Sequence, residues 1–111
     1  MIETRQLFQL SDFEQVVQLQ KTIWGFEDVE LLPLRFLVVV TKVGGHVFGA
    51  YDGAQMIGFC FAIPGVKSGG RPYLHSHMLG VLPPYRNSGV GRRLKLMQRE
   101  DALARGIHLI E

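Results

Sequence analysis

Val81-Leu82-Pro83-Pro84-Tyr85-Arg86-Asn87-Ser88-Gly89-Val90-Gly91-Arg92-Arg93-Leu94 carries the end of an apolar strand into a glycine-punctuated turn and then, with no linker, into an amphipathic helix. The first N–H groups of a helix have no intrahelical acceptor, and the macrodipole favours negative charge beside them. The spacing therefore predicts an anion site in which Arg86, Asn87, Ser88, Gly89, Val90 and Gly91 present successive backbone N–H groups. Gly89 and Gly91 have no Cβ, so a phosphate oxygen can approach the main chain. Arg86 adds a fixed positive charge. An ordinary strand-to-helix turn would also use a glycine, but here strand, turn, arginine and helix follow in the order that phosphate binding needs. Neither G-x-G-x-x-G nor G-x-x-x-x-G-K-[ST] occurs in the chain, which sets aside the two common nucleotide loops.

This stretch, R-N-S-G-V-G after V-L-P, resembles motif A of the GNAT superfamily of acyl-CoA-dependent N-acetyltransferases, whose pattern is Arg/Gln-x-x-Gly-x-Gly/Ala after a strand ending V-x-P. The resemblance implies that Arg86, Asn87, Ser88, Gly89, Val90 and Gly91 wrap the pyrophosphate of coenzyme A. It also implies a strand that parts from its neighbour at a bulge, so that the backbone of Leu79, Gly80 and Val81 bonds the pantetheine arm and the thioester carbonyl; Gly80 suits such a bulge. Arg92 and Arg93 open the helix within reach of the cofactor's 3′-phosphate, although arginines on an exposed first turn are commonly just solvated.

At 111 residues the chain has room for one domain and one core. Its 47% hydrophobic content, 20% charged residues and formal net charge of +2 describe a soluble globular protein without a basic arm for nucleic acid. No apolar run is long enough to span a bilayer. With the lone Cys60 an internal disulfide is excluded, and a cytoplasmic location is expected.

Residues 4–10 are expected as a first strand, followed by a helix capped by Ser11 with Glu14 three residues on, with Phe13, Val16, Val17, Ile23 and Trp24 facing the core and Gly25 as its stop. Pro33 opens a second helix, although the valine-rich run 34–40 would also suit a strand. Runs 46–51 and 56–63 flank Asp52-Gly53-Ala54-Gln55 as a hairpin, and Pro64-Gly65 is expected to end its second arm. That arm is apolar on both sides of the pleat, as befits an interior strand. Residues 73–81 form the next strand. A helix from about Ser88 then buries Val90, Leu94, Met97 and Ala104 with Leu96 and Leu103 beside them, Gly106 lies at its end, and residues 107–111 start a last strand. The expected fold class is α/β in the α+β sense: a mixed, mostly antiparallel sheet flanked by helices in the order β-α-α-β-β-β-α-β. Connections too short for crossovers require an antiparallel meander up to Val81.

This order matches the GNAT core through its fifth strand, so the resemblance covers nearly all of residues 1–111 as a single domain. Family members continue with at least one more helix and two strands. The expectation is therefore that the C-terminal part of the fold is missing, and that an isolated monomer is poorly soluble and catalytically silent. It is also expected to associate with another chain, as a homodimer for example, through an unfinished sheet edge.

The implied chemistry is direct transfer of the acetyl group of acetyl-CoA to a small-molecule or peptide amine, which must lose a proton before attack. His75 and His77 lie two apart in a strand, on one face with each other and with Leu79, and imidazole titrates near neutrality. They are the candidate catalytic bases; buried histidines satisfied by backbone groups would show the same spacing. Two histidines without a third ligand do not make a metal site, and none is expected. Cys60 sits in a wholly apolar strand and reads as core rather than as an acyl carrier. Trp24 and Phe26 suit either an acceptor pocket or core packing. The alternative to an N-acetyltransferase is a non-catalytic CoA-binding or interaction domain that keeps the pyrophosphate turn.

Overall fold

The computed structural model describes all of residues 1–111. Strand β1 is Ile2–Gln6, helix α1 Leu10–Trp24, helix α2 Leu34–Lys42, strand β2 His46–Asp52, strand β3 Gln55–Val66, strand β4 Pro72–Val81 and helix α3 Val90–Ala104, with single 3₁₀ turns at Asp28–Glu30 and Pro83–Tyr85. The four strands make one sheet in sequence order, each antiparallel to the next. The expected meander is thus present. Beyond α3 the chain turns back alongside β4 as a single parallel bridge, Leu74 to Ile110, held by Leu74 N–H to Leu109 O (3.1 Å), Ser76 N–H to Glu111 O (2.7 Å) and Glu111 N–H to Leu74 O (2.9 Å).

Pleating sorts β3 between two layers, which is why its apolar run has no polar side. Phe59 meets Trp24 of α1 and Phe61 meets Phe36 of α2, while Cys60 lies under Leu94 of α3 and Ala62 packs with Leu74 and Ala102. Burial pushes the Cys60 thiol up to about 12, so it stays protonated and inert.

Several expected boundaries shift. Strand β1 ends at Gln6 because pairing with β2 sets its length; Leu7 adds one bond to Val47 O (2.8 Å), and Phe8 turns out to solvent. Helix α1 starts at Leu10 with Gln9 as its cap, so Ser11 lies inside the helix and does not cap it. Asp12 is drawn to Tyr51 and Arg5 across the sheet edge, and the capping box falls instead on Glu27 and Glu30 of the 3₁₀ turn. Gly25 closes α1 in the left-handed region as expected, and α2 is a helix opened by Pro33. Pro64 and Gly65 do not end β3: they pair with Leu74 and Tyr73, and the reversal falls at residues 67–71, where Lys67 N–H reaches Arg71 O (2.8 Å). In α3 the buried stripe is Val90, Leu94, Gln98 and Ala102, while Leu96, Leu103 and Ala104 face solvent.

The C-terminal half of α3 clamps the start of β2 through charge. The buried His46 ring lies with Nδ1 2.7 Å from Asp101 Oδ2, and Arg105 bonds the same carboxylate oxygen (2.7 Å) and Gly44 O (2.8 Å). Burial holds His46 below 6.5 despite the pull of Asp101. Its Nε2 has no partner, as suits a neutral ring that donates through Nδ1. Partial burial raises the Asp101 carboxyl, but hydrogen bonds from His46 and Arg105 outweigh it and hold the group below 3.8. Both folded values lie below their unfolded ones. The contribution of His46 is therefore complete above pH 6.5 and lost as pH falls through its lowered value; that of Asp101 follows below 3.8. Melting temperature should drop on acidification from pH 7.5 to 4, beginning below pH 6.5, and His46→Gln should remove that first stage; a wild-type melting temperature flat to pH 4 contradicts this assignment.

Candidate active site

In the turn between β4 and α3 the unpaired N–H groups begin one residue later than the sequence pattern places them. Arg86 N–H is already used, closing the 3₁₀ turn on Pro83 O (3.2 Å), because Pro83 and Pro84 pre-set that turn. The next backbone bond of the ladder runs from Arg93 N–H to Gly89 O (3.0 Å). Between them the N–H groups of residues 87–92 have neither a backbone nor a side-chain acceptor, so Arg92 joins the run through its backbone. Six successive free donors at the start of a fifteen-residue helix form a cradle of the kind that can hold an anion. Gly89, the helix cap, has φ +87° and Asn87 φ +66°; such positive values are cheap for glycine and tolerated by asparagine.

Side chains hold this turn from three directions. Arg86 Nε donates to Val81 O (3.0 Å), which parks the guanidinium beside the cradle. Ser88 Oγ donates to Tyr85 O, and Tyr85 Oη donates to Asp52 Oδ2 (2.6 Å) at the β2–β3 hairpin, a bond that raises the Tyr85 phenol above its usual value. Arg93 reaches Ile2 O (3.1 Å) in β1, so it braces the helix against the sheet. Arg92 is exposed with no such tie. The sequence motif does not reveal the Tyr85–Asp52 link, which joins positions 33 residues apart.

The strand leading into the turn departs from expectation. Its register breaks opposite Phe61 and Ala62, which pair with Met78 and Ser76, so His77 is the extra residue of a bulge. His77 and Met78 therefore lie on the same face, and alternation inverts beyond them. His75 and His77 share the α1–α2 face, where the His77 ring lies 5.7 Å from that of Phe61, but Leu79 pairs with Cys60 on the α3 face. The expected common face of His75, His77 and Leu79 is thus corrected. Nor is Gly80 the bulge: it pairs with Phe59, and its missing Cβ makes room for Trp24, whose ring would lie 2.8 Å from that atom. Both histidines are exposed, not buried, and His77 Nδ1 lies 3.3 Å from His75 Nε2. As β4 is the last strand of the sheet, its outer edge from Met78 to Val81 has no strand beside it.

The model of the Acetyltransferase (GNAT) family matches residues 10–111, from the start of α1 to the last residue of the chain. The chain belongs to the GNAT acetyltransferase family. It is accordingly an acyl-CoA-dependent N-acetyltransferase, using acetyl-CoA and an amine acceptor. No curated protein matches the chain in sequence. Solved structures do so in fold: an aminoglycoside acetyltransferase, meta-AAC0020, from an uncultured soil metagenomic sample superposes with TM-score 0.85 at 15% identity, over 99% of this chain and 75% of its own. The aminoglycoside 6'-N-acetyltransferase AAC(6')-Ih from Acinetobacter baumannii gives 0.78 at 22% identity, over 99% and 77%. AAC(6')-Iy, solved with the bisubstrate analogue CoA-S-monomethyl-acetylneamine, gives 0.76 at 21%, over 100% and 78%. This GNAT chain thus spans about three quarters of each. No group of three His, Cys, Asp or Glu is placed to hold a metal, and no helix is long and apolar enough to cross a membrane.

Proposed function

We propose that this GNAT protein binds acetyl-CoA with the pyrophosphate on the N–H groups of residues 87–92 and the Arg86 guanidinium beside it, and acetylates an amine delivered to the His75–His77 face of β4. The unbroken run of six unpaired donors carries this reading. Two negative phosphates satisfy donors that no protein group satisfies, and the helix dipole adds to their binding. From there the pantetheine arm runs along the open edge of β4 at Leu79, Gly80 and Val81, where main-chain groups can polarise the thioester carbonyl.

His77 takes one proton from the incoming ammonium, and the freed nitrogen lone pair attacks the thioester carbon. The C–S bond then breaks as the C–N bond is kept, and the second nitrogen proton ends on the departing thiolate. The products are an N-acetyl amine, CoA thiol and one proton held by imidazole. The single Cys60 and the use of acetyl-CoA fit a cytoplasmic reaction.

A thiol-release assay of the purified protein with acetyl-CoA and a panel of primary amines tests the reading. Release should require an amine, yield the N-acetyl product mole for mole, and be inhibited by CoA, an outcome that would also overturn the expectation of a catalytically silent chain. Tight CoA binding with no amine-dependent release at any pH from 6 to 9 contradicts acetylation by this site.

A further inference from the structure

Trp24, the only tryptophan of the chain, projects from the last turn of α1 over Gly80 of β4. One side of its indole stacks on Phe26 (5.5 Å between ring centroids, 19° between planes), and its edge meets Phe59 at 6.0 Å. From Phe59 the aromatic contacts continue to Phe61 at 6.4 Å and from Phe61 to His77 at 5.7 Å. A chain of aromatic contacts thus runs through the core from the end of α1 to the imidazole proposed as base, across about 10 Å of strand between Gly80 and His77.

Phe59 and Phe61 are fully buried and explain themselves as core. Trp24 does not: it is 39% exposed and Phe26 is half-buried, which leaves a flat apolar platform open to water. Ile23, packed at Gly80, and Met78, on the same face of the strand, border it and are apolar as well. Gly80 is what admits the indole to this place, since any Cβ there would collide with it. Just beyond Phe26 come the carboxylates of Glu27, Asp28 and Glu30; Lys21 pairs with Asp28 at 3.0 Å, and neither glutamate has a cationic partner. That edge attracts cations.

A ligand suited to this surface has a flat apolar group for the rings and a single amine for the imidazole, and the acidic edge draws such a cation toward the platform. We propose that the acceptor is a primary amine carrying an aromatic ring on a short alkyl linker, with the ring on Trp24 and Phe26 and the nitrogen at His77. This rests on the acetyl-transfer site given above. Offset or edge-on stacking against Trp24 supplies the selectivity, and a polycation without an apolar face makes poor use of the platform.

Binding can be read apart from turnover because Trp24 is itself the fluorophore. With CoA present, 2-phenylethylamine should change its emission and bind about tenfold tighter than ethylamine or neamine, with affinities measured in parallel by calorimetry. Trp24→Ala and Phe26→Ala should each bring 2-phenylethylamine toward the ethylamine affinity while CoA affinity stays unchanged, and Trp24→Phe should keep most of the preference. Phe26, half-buried and outside the core, keeps the test decisive should Trp24→Ala fold poorly. Equal or tighter binding of ethylamine or neamine, or a preference for the aryl amine untouched in both alanine variants, overturns the proposal. Tight binding of 2-phenylethylamine without acetylation would instead count against the acetyl-transfer site and leave the aryl-amine site standing.

Discussion

Gly91→Val should leave the protein folded and weaken CoA binding by about ten- to a hundredfold, the loss of one hydrogen bond to a charged group at about 1.5 to 3 kcal/mol. Position 91 lies in the first turn of α3 without a positive φ, and a Cβ there meets only Leu79 Cδ2, at 3.7 Å. Helix propensity favours valine over glycine by a few tenths of a kcal/mol, so melting temperature should hold or rise slightly. What the new side chain fills is the space between the helix start and β4, through which the phosphates of the proposed binding mode would approach the N–H groups. Gly89→Val should weaken binding as well, but its φ of +87° adds backbone strain of about 1–2 kcal/mol, so that variant also loses stability. Arg86→Ala should cost less CoA affinity than Gly91→Val, because six main-chain donors remain. Calorimetric titration with CoA, beside thermal melting, checks the order. Unchanged affinity in a folded Gly91→Val protein would remove the pyrophosphate from this turn.

Legibility in the sequence followed the locality of each feature. The turn, its helix and the Asp52 to Gln55 hairpin depend on residues a few positions apart, so glycine placement and hydrophobic period reveal them directly. The run of donors is off by one for a local reason as well: Pro83 and Pro84 favour a 3₁₀ turn that uses the Arg86 N–H.

Features set by pairing across the sheet were not legible. The bulge at His77 exists only as a mismatch of register between β3 and β4, and nothing within residues 72–81 marks it. Gly80 attracts attention for the wrong property: it supplies space for Trp24 rather than a bend. Gln98, a polar residue outside the expected apolar stripe, is buried, its Oε1 accepting from Ser76 and Lys95, because β4 and α3 converge there. His46, absent from the candidate residues, acquires its partner Asp101 from 55 positions away.

Replacing both histidines, His75→Gln with His77→Gln, should lower kcat by about a hundredfold or more, the range general-base catalysis commonly supplies, with the KM for acetyl-CoA little changed. The two are not equivalent. His77 stands in the bulge with Nδ1 3.3 Å from His75 Nε2, which leaves its own Nε2 free to face an acceptor. When His77 Nδ1–H donates to His75, the lone pair of His77 lies on that free nitrogen, ready to accept a proton. His75 in this arrangement positions and does not touch the amine, so His75→Gln alone should cost about tenfold or less while His77→Gln accounts for most of the double effect. The pH profile distinguishes loss of a base from loss of shape. Without His77 the protein depends on amine already deprotonated in solution, so its rate should climb about tenfold per pH unit until the amine's own pKa, because the free-base fraction grows in that proportion. A His77→Gln protein with wild-type kcat and the wild-type profile would move the base away from β4, while an equal drop at every pH would reduce His77 to a packing role against Phe61.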